Sequence, residues 1–369
     1  MRICFDYDNS SKSKKAFLLF SKTNPKLIDG SVFSNTLFSE SSNFITERQI
    51  PDIILSRFSS LLTYSISNYP KQSREACGLI FQLLQHVSNE SVIDFYSSIC
   101  LFNSPYVDIQ QSLKEAEFSL CVVDGISKNT DQSLLPGLFR IIQMSSGNQI
   151  LGSAFKKPQT ALALMKHIEN DDPETKKYLW RALTAVISAE TAEILAPLFE
   201  TAVAIVRNVQ KSIRMFEIFA FDFIGKIILY APNIVDRVEN SRIIDISIGL
   251  IILFPDSSNL VASVFRFYRN ISNYPLLTPR LFSELVPMMI SIAKGNDRSA
   301  LTSNCYLYIL YLNDSQNQSL KQTLENTIMY KQFYQSSLVP YEHILNTPYG
   351  GKIENTPGRS PSLFSLDSN

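Results

Sequence analysis

Histidine, the side chain most often used for acid–base chemistry near neutral pH, is scarce in this chain. Only three of its 369 residues are histidines, namely His86, His167 and His343. One of them lies near an acid, because in the stretch LLQHVSNESVIDFY the residue Asp94 follows His86 by eight positions. On one continuous helix these side chains would be two turns apart, too far for a hydrogen bond, and Asn89 is typical of a turn between them. We therefore interpret His86 as a helix-end residue bonded to backbone rather than as a catalytic base.

Sequence patterns for metal binding, phosphate binding and nucleophilic catalysis are absent. The chain contains no GxGxxG, GxxxxGK[ST], HExxH or GxSxG motif. Its five cysteines are odd in number and include no CxxC pair, so neither a disulfide framework nor a zinc site is expected, and a reducing compartment fits best. The sequence thus predicts no catalytic residues, no metal and no cofactor.

The acidic run ENDD at residues 169–172 could suggest a metal site or acid–base work. It stands directly before Pro173, and proline is favoured at the first position of a helix. Acidic side chains stabilise a helix N-terminus, so the run is predicted to cap a helix. Thr278 before Pro279 is predicted to cap another helix in the same way.

Composition limits the classes of partner. Lys and Arg together number 34, as do Asp and Glu, so the formal charge is zero and there is no electrostatic reason to expect nucleic acid. The most apolar segment, residues 246–254, is about half of the ~20 residues that span a bilayer. We expect no membrane insertion and a cytoplasmic location, with the nucleus as a second location.

Apolar residues recur at helical spacing along most of the chain. In SIRMFEIFAFDFIGKIILY, Phe216, Phe219 and Phe223 fall three or four residues apart, and apolar side chains occupy more than one face. This is typical of a helix packed between two neighbours. Trp180 and the aromatic residues in 264–268 also have helical spacing and are predicted to be core rather than a binding groove. Prolines recur about every twenty residues, which favours a succession of helices joined by short turns.

We predict an all-α fold, specifically a right-handed α-solenoid of armadillo/HEAT-like helical repeats over residues 46–346. Helix pairs of about 40 residues are typical of that class, although no crisp internal repeat can be aligned, and a compact helical bundle is the alternative. Residues 1–45 have weak periodicity and are predicted to be poorly ordered. Residues 347–369 are predicted to be a disordered tail. In that tail Thr356 and Ser360, each followed by proline, are phosphorylation candidates.

Four short segments match motifs of a known family in the same order. The matching positions are Leu83, Leu84, His86, Val87, Ile93 and Asp94 in the first segment, Ala116, Leu120 and Cys121 in the second, Phe254, Pro255, Leu260 and Val264 in the third, and Phe333, Leu338, Gly350 and Gly351 in the fourth. Together they resemble the SAPS family, helical-repeat regulatory subunits of a PPP-type serine/threonine phosphatase. In the third segment Ser257 and Ser258 stand where that family has paired asparagines.

The resemblance implies a non-catalytic regulatory or scaffolding subunit, which binds a PPP-type phosphatase catalytic subunit and directs it to substrates. The catalytic metals and residues would then belong to that partner. The candidate partner-binding residues are His86, Asp94, Asn259, Arg266 and Arg269. A generic helical-repeat adaptor in transport or trafficking is the alternative. An enzyme on a helical scaffold is a third class, for which the sequence supplies no acid–base or nucleophile constellation.

Overall fold

The structure is a computed structural model that describes most of the chain. The residues outside the description are 7–10, 23, 28, 43, 48, 72–75, 129–130, 296–298, 328 and 348–369. The candidate phosphorylation sites Thr356 and Ser360, and all but the first residue of the predicted tail, therefore lie outside the described residues. The residues that are described form helices and turns without any strand, which confirms the all-α prediction.

The chain divides into two compact units, Met1–Pro197 and Leu198–Asn369. The predicted helical domain over residues 46–346 spans parts of both. The α-helices of unit 1 are α1 (Ser11–Lys22), α2 (Gly30–Ser42), α3 (Asp52–Asn68), α4 (Cys77–Gln82), α5 (Glu90–Cys100), α6 (Val107–Glu115), α7 (Phe118–Lys128), α8 (Leu135–Ser146), α9 (Gly152–Phe155), α10 (Pro158–Met165), α11 (Pro173–Val186) and α12 (Ala192–Leu195). Short 3₁₀ helices include Arg2–Phe5 and Leu83–His86.

Unit 2 continues the succession of helices. Its α-helices are α13 (Leu198–Arg207), α14 (Met215–Tyr230), α15 (Val235–Asn240), α16 (Ile243–Leu253), α17 (Ser258–Ile271), α18 (Thr278–Arg280), α19 (Val286–Lys294), α20 (Ala300–Asn313), α21 (Gln318–Glu325), α22 (Tyr330–Phe333) and α23 (Val339–Asn346). One π-helical turn, Leu281–Leu285, joins α18 to α19, and another, Tyr334–Leu338, joins α22 to α23.

A set of longer helices in each unit packs in sequence order. In unit 1, α3 packs on α5, α5 on α8, and α8 on α11. In unit 2, α13 packs on α14, α14 on α17, and α17 on α20. Most of these helices begin about 40 residues after the one before, which is the interval of two-helix repeats. The architecture is therefore repeat-like in both units.

The helix α14 shows how the apolar sequence pattern is used. Phe216, Phe223 and Ile227 are buried, and so are Phe221 and Ile224 on its other sides. Because α13 and α17 both pack against α14, apolar side chains are needed on more than one of its faces, as predicted.

No single described helix is both long and apolar enough to cross a bilayer. The bent pair Met215–Tyr230 and Pro232–Asn240, with 117° between its parts, meets that criterion by length and composition.

Residues 1–45 contain helices where the sequence predicts poor order. Phe5 contacts the rings of Phe44 and Phe58, at 5.0 and 6.2 Å between centroids. The buried guanidinium of Arg57 on α3 donates to the carbonyl of Cys4 at 3.0 Å, and also bonds the Ser13 hydroxyl. The described part of this segment is thus attached to α3 by a few aromatic and polar contacts. Because many positions of this segment are serines, its apolar residues show no clear helical spacing, and the sequence prediction depends on that spacing.

Two predicted helix caps have different outcomes. The Asp172 carboxylate accepts from the backbone N–H of Thr175 at 2.7 Å and from its hydroxyl at 2.6 Å, so it caps α11 as predicted. These bonds favour the ionised form and lower the pKa of Asp172. The predicted Thr278 cap is wrong. Thr278 already lies inside α18, and its hydroxyl donates back to the carbonyl of Tyr274 at 3.1 Å.

Side chains tie successive helix pairs together through backbone carbonyls. His86 Nε2 is 3.0 Å from the carbonyl oxygen of Ile45, and His167 Nε2 is 3.2 Å from that of Ile126. Each bond spans 41 residues, so these four residues recur at nearly equal intervals along unit 1. The equal spacing of the two bonds indicates a repeat of about 40 residues in unit 1, which the residue types alone do not show. We call them the histidine ties.

The helix α8 comes unusually close to the turn that follows His86. A Cβ atom on Gly137, in the first turn of α8, would lie 2.2 Å from the Val87 carbonyl oxygen and 2.7 Å from the Val87 Cβ. Real Cβ atoms do not approach other atoms so closely, so the contact requires glycine. Val87 is itself buried, which leaves the turn little room to move aside.

Candidate functional site

A groove of about 520 Å³ opens in unit 1 between the segment Phe81–Gln85 and the helix α7. Cys121, Asp124, Gly125 and Lys128 line the side formed by α7. These positions share one face because residues three, four and seven apart in a helix lie above one another. Phe81, Leu84 and Leu138 supply apolar lining, so the groove has an apolar body with a polar edge.

The polar edge of the groove has little reactive character. Lys128 Nζ lies 2.6 Å from Asp124 Oδ2, but these side chains are 75% and 61% exposed, so their ion pair is weak. Burial raises the pKa of the Cys121 thiol, and the nearby charges of Asp124 and Glu117 raise it further. A raised pKa keeps the thiol protonated near neutral pH, which disfavours nucleophilic attack. The arrangement suits binding better than catalysis.

Two of the four family-like segments meet at this groove. Leu84 from the first segment and Cys121 from the second both line it. Other matching positions in these segments differ in environment, since Leu83 and Val87 are buried in the core and Leu120 is 49% exposed. The structure therefore brings the first two segments together around one surface feature.

His86 and Asp94 are not brought together as a chemical pair. His86 is only 4% exposed and its ring faces the carbonyl of Ile45, whereas Asp94 is an exposed residue on α5. Burial lowers the pKa of His86, against the opposing effect of the Ile45 bond, so the ring is neutral near pH 7. His86 thus lies at a helix end and bonds to backbone, as the structural interpretation predicts. Its side chain cannot touch a partner directly.

The helix α17 carries the other candidate partner-binding residues on one face. Asn259 and Arg266 are exposed, and Arg269 is half-buried one turn further on. Arg266 Nη2 donates to Asp222 Oδ1 on α14 at 2.7 Å and to the Ser263 hydroxyl at 3.1 Å. The charge of Arg266 is therefore already compensated within unit 2.

Arg269 differs from Arg266 in its contacts with the rest of unit 2. Its Cζ lies 5.8 Å from the ring centroid of Tyr311 on α20, within the range of a cation–π contact. Its Nε is buried without a hydrogen-bond acceptor among the described residues. Burial lowers the pKa of Arg269 from its ordinary value, and the neighbouring charge of Arg266 lowers it further. Tyr311 and Asp222 also belong to this site, and no local sequence motif indicated either of them.

The remaining candidates lie apart from these two sites. Phe333 and Leu338 of the fourth segment are buried, while Gly350 and Gly351 are outside the described residues. His343 is exposed on α23. Among the residues that the structure describes, no group of three or more His, Cys, Asp or Glu side chains could hold a metal ion.

The chain was compared with known proteins at the levels of family, sequence and structure. No protein-family model matches it, no curated protein is similar to it, and no solved structure matches it. The groove of unit 1 and the face of α17 in unit 2 are therefore the features from which a function can be inferred.

Proposed function

We propose that this chain is a non-catalytic regulatory or scaffolding subunit, which binds the catalytic subunit of a PPP-type serine/threonine phosphatase and directs it to substrates. On this proposal the chain is a divergent SAPS-like protein of the cytoplasm, and its fold is a right-handed α-solenoid of armadillo/HEAT type. The repeat-like packing of helices that begin about 40 residues apart supports that fold. The catalytic residues and metals would belong to the partner.

The observation that carries the proposal is the meeting of two family-like segments at the groove. The segments containing Leu84 and Cys121 are separated in sequence, yet both line the same surface feature. Phe81, on the helix just before the first segment, and Phe118, in the second, are also in ring contact at 5.6 Å, so the two segments form one continuous surface. An apolar groove with a polar edge is also the kind of surface into which a partner's side chains can pack.

An affinity pull-down from the organism's own cell extract, with the bound proteins identified by mass spectrometry, tests the proposal. We expect a PPP-type catalytic subunit to be recovered in stoichiometric amount. Recovery of cargo or coat proteins without a phosphatase would contradict the proposal. That outcome would instead favour the generic helical-repeat adaptor, for which the repeat-like architecture alone is sufficient support.

A matched pair of variants makes the test specific to the groove. Cys121→Arg places a long cationic side chain in the groove, and we expect it to remove most of the recovered phosphatase. Leu162→Arg is the control, because Leu162 is a similarly exposed residue on α10 and does not line the groove. Fluorescence of the single tryptophan, Trp180, which is buried in unit 1, checks that both variants are folded. Equal recovery with the two variants would show that the groove is not the binding surface.

A further inference from the structure

Within unit 2, Arg269 on α17 is a cation whose environment is incomplete. It is half-buried, its Nε has no acceptor among the described residues, and its contact across the helix interface is the ring of Tyr311. Buried charged groups are normally paired or hydrogen-bonded, because removing them from water is otherwise unfavourable. A half-buried guanidinium without an acceptor is therefore an exception that needs an explanation.

The electrostatic surroundings of Arg269 do not supply the missing acceptor. The groups that act on its charge are Tyr311, Tyr308 and Arg266, and no carboxylate is among them. Arg266, on the same face of α17, is ion-paired with Asp222, whose side chain is only 19% exposed. Asp222 is thus already engaged by Arg266. Asp222 compensates Arg266, and the neighbouring Arg269 is left with the ring of Tyr311, so positive charge is in excess at this place.

The two arginines also differ in what they would lose on meeting a ligand. Arg266 would have to give up its 2.7 Å bond to Asp222, or share it. Arg269 has no such bond to break among the described residues. Because its Nε is buried, an incoming anion would meet its Nη groups. A planar guanidinium held against an aromatic face is well suited to bind carboxylate or phosphate oxygens along its edge.

We propose that Arg269, held by Tyr311 and assisted by Arg266, receives an anionic oxygen group from an acidic or phosphorylated segment of a partner protein. The shared chemistry is that of carboxylate and phosphate oxygens, both of which accept charge-assisted hydrogen bonds. This inference rests on the proposed function, since it names the partner chemistry that the face of α17 would recognise. It assigns the recognition to Arg269 first and to Arg266 second.

Binding of labelled peptides to the full chain, measured by fluorescence anisotropy, tests the assignment. The probes are an acidic peptide rich in Asp and Glu, the same peptide with phosphoserines in place of some acids, and a neutral peptide with Asn and Gln. We expect the two anionic peptides to bind and the neutral one not to bind, with affinity falling as salt is added. The ratio of the two anionic affinities then identifies the preferred group.

Variants of Arg269 make the result specific. Arg269→Met should weaken binding of the anionic peptides about 10-fold or more, the usual effect of losing one charge-assisted pair. Arg269→Lys keeps the charge but not the planar fork, so it should have an intermediate effect. Arg140→Met is the matched control, since Arg140 also stands over a tyrosine but already has an acid partner, and it should change binding less than about 2-fold.

Two results would overturn the assignment. One is that neither anionic peptide binds the wild-type chain, and the other is that Arg269→Met and Arg140→Met bind them equally well. The outcome is separable from the test of the proposed function. Peptide binding that depends on Arg269, with no phosphatase in the pull-down, would keep the anion site and reject the phosphatase. Phosphatase recovery that is unaffected by Arg269→Met would keep the function and reject the site.

Discussion

The two units contain the same pairing of an arginine with a tyrosine, and they complete it differently. In unit 1 the Cζ of Arg140 on α8 lies 5.2 Å from the ring centroid of Tyr178 on α11, and its Nη1 donates to both oxygens of Glu90 at 2.7 and 2.8 Å. In unit 2 Arg269 lies over Tyr311 without an acceptor among the described residues. Consecutive long helices thus place a cation over a ring in both units. In unit 1 the acceptor is supplied by a third helix, α5, whereas no described residue accepts from the Nε of Arg269 in unit 2.

The ties between successive helix pairs differ between the units as well. Unit 1 uses the rings of His86 and His167, whereas unit 2 uses Tyr274, whose hydroxyl donates to the carbonyl of Ile228 at 2.6 Å. Asn270 adds a bond to the carbonyl of Gly225 at 2.7 Å. Histidine ordinarily titrates just below neutral pH, whereas tyrosine and asparagine do not change charge in that range. Unit 1 is therefore expected to be sensitive to mild acid through the bond of His86, whereas the tyrosine and asparagine bonds of unit 2 are not sensitive in this range.

The largest expected effect comes from removing a tie altogether. His86→Ala deletes a buried ring and leaves the Ile45 carbonyl without its partner, which should cost about 2–4 kcal/mol in the free energy of unfolding. Tyr274→Phe removes only a hydroxyl from a part-buried site in unit 2, which should cost about 1 kcal/mol. Urea unfolding followed by circular dichroism measures both. Losses of equal size would mean that the histidine ties are no more important than the tyrosine bond.

The second prediction concerns pH. The pKa of His86 is lowered by burial, so the unfolded chain takes up a proton at higher pH than the folded one. The contribution of His86 to the free energy of unfolding is therefore fully present above pH 6.5 and is lost as the pH falls from 6.5 towards the lowered pKa. The loss is at most about 1.4 kcal/mol per pH unit.

Urea unfolding of unit 1, followed by Trp180 fluorescence, measures this loss between about pH 7 and about pH 5. His86→Gln is the control, because it keeps a donor for the Ile45 carbonyl but cannot titrate in this range. The wild-type chain should lose more stability than the variant over the same interval. If the two pH profiles run parallel, His86 does not contribute to the acid sensitivity of unit 1.

A smaller effect is expected when the two arginines are compared directly. Arg269→Met removes a half-buried charge without an acceptor, and should raise the free energy of unfolding by about 1 kcal/mol. Arg140→Met removes an ion pair whose Glu90 side chain is 74% exposed, and should lower the free energy of unfolding by less than about 1 kcal/mol. Chemical denaturation of both variants shows whether each substitution raises or lowers the free energy of unfolding. A loss with Arg269→Met would indicate that its charge already has a stabilising partner.

The smallest effect on stability is expected at the thiols, which nonetheless distinguish the units by reactivity. Burial raises the pKa of Cys305 in unit 2 to about 12, whereas Cys121 in unit 1 is exposed. Relative to the ordinary value of 9.0, a pKa of about 12 reduces the thiolate roughly a thousandfold. Because the pKa of Cys121 is raised as well, iodoacetamide should modify this exposed thiol slowly, yet still well before the buried Cys305, as mass spectrometry of the digested protein would show. Cys121→Ser should leave stability unchanged and remove this first reaction.

Much of the fold could be predicted because helices leave a periodic record in the sequence. The apolar spacing of residues 213–227 and the Asp172–Pro173 start signal both correspond to observed helices. The Thr278 cap failed because a threonine before a proline can equally bond backward to a carbonyl within its own helix turn. The internal repeat could not be seen because its equivalent positions alternate between isoleucine, which offers a carbonyl, and histidine, which offers a ring.

The candidate site could be predicted only in part. Arg266 and Arg269 are three residues apart on a helix, so the sequence was sufficient to place them on one face. The partners of the two arginines could not be predicted from the sequence, because Asp222 and Tyr311 lie on other helices. The Arg266–Asp222 bond, for example, spans 44 residues. Because Arg266 is paired with Asp222, reversing its charge would test more than partner binding. A glutamate at position 266 would face Asp222 and disturb packing as well as binding.

The contact of Gly137 with the turn after His86 has a consequence for recognising distant relatives. A Cβ at that position would lie 2.2 Å from the Val87 carbonyl oxygen, so substitution there is blocked while the turn keeps its place. Related chains could exchange nearly every surface residue and still be obliged to keep a glycine in the first turn of the helix that packs there. A sequence search could require a His-Val pair followed about 50 residues later by a Pro-Gly pair. Such a search would select chains that can form this close contact. Such a pattern could find homologues whose overall sequences have diverged beyond alignment.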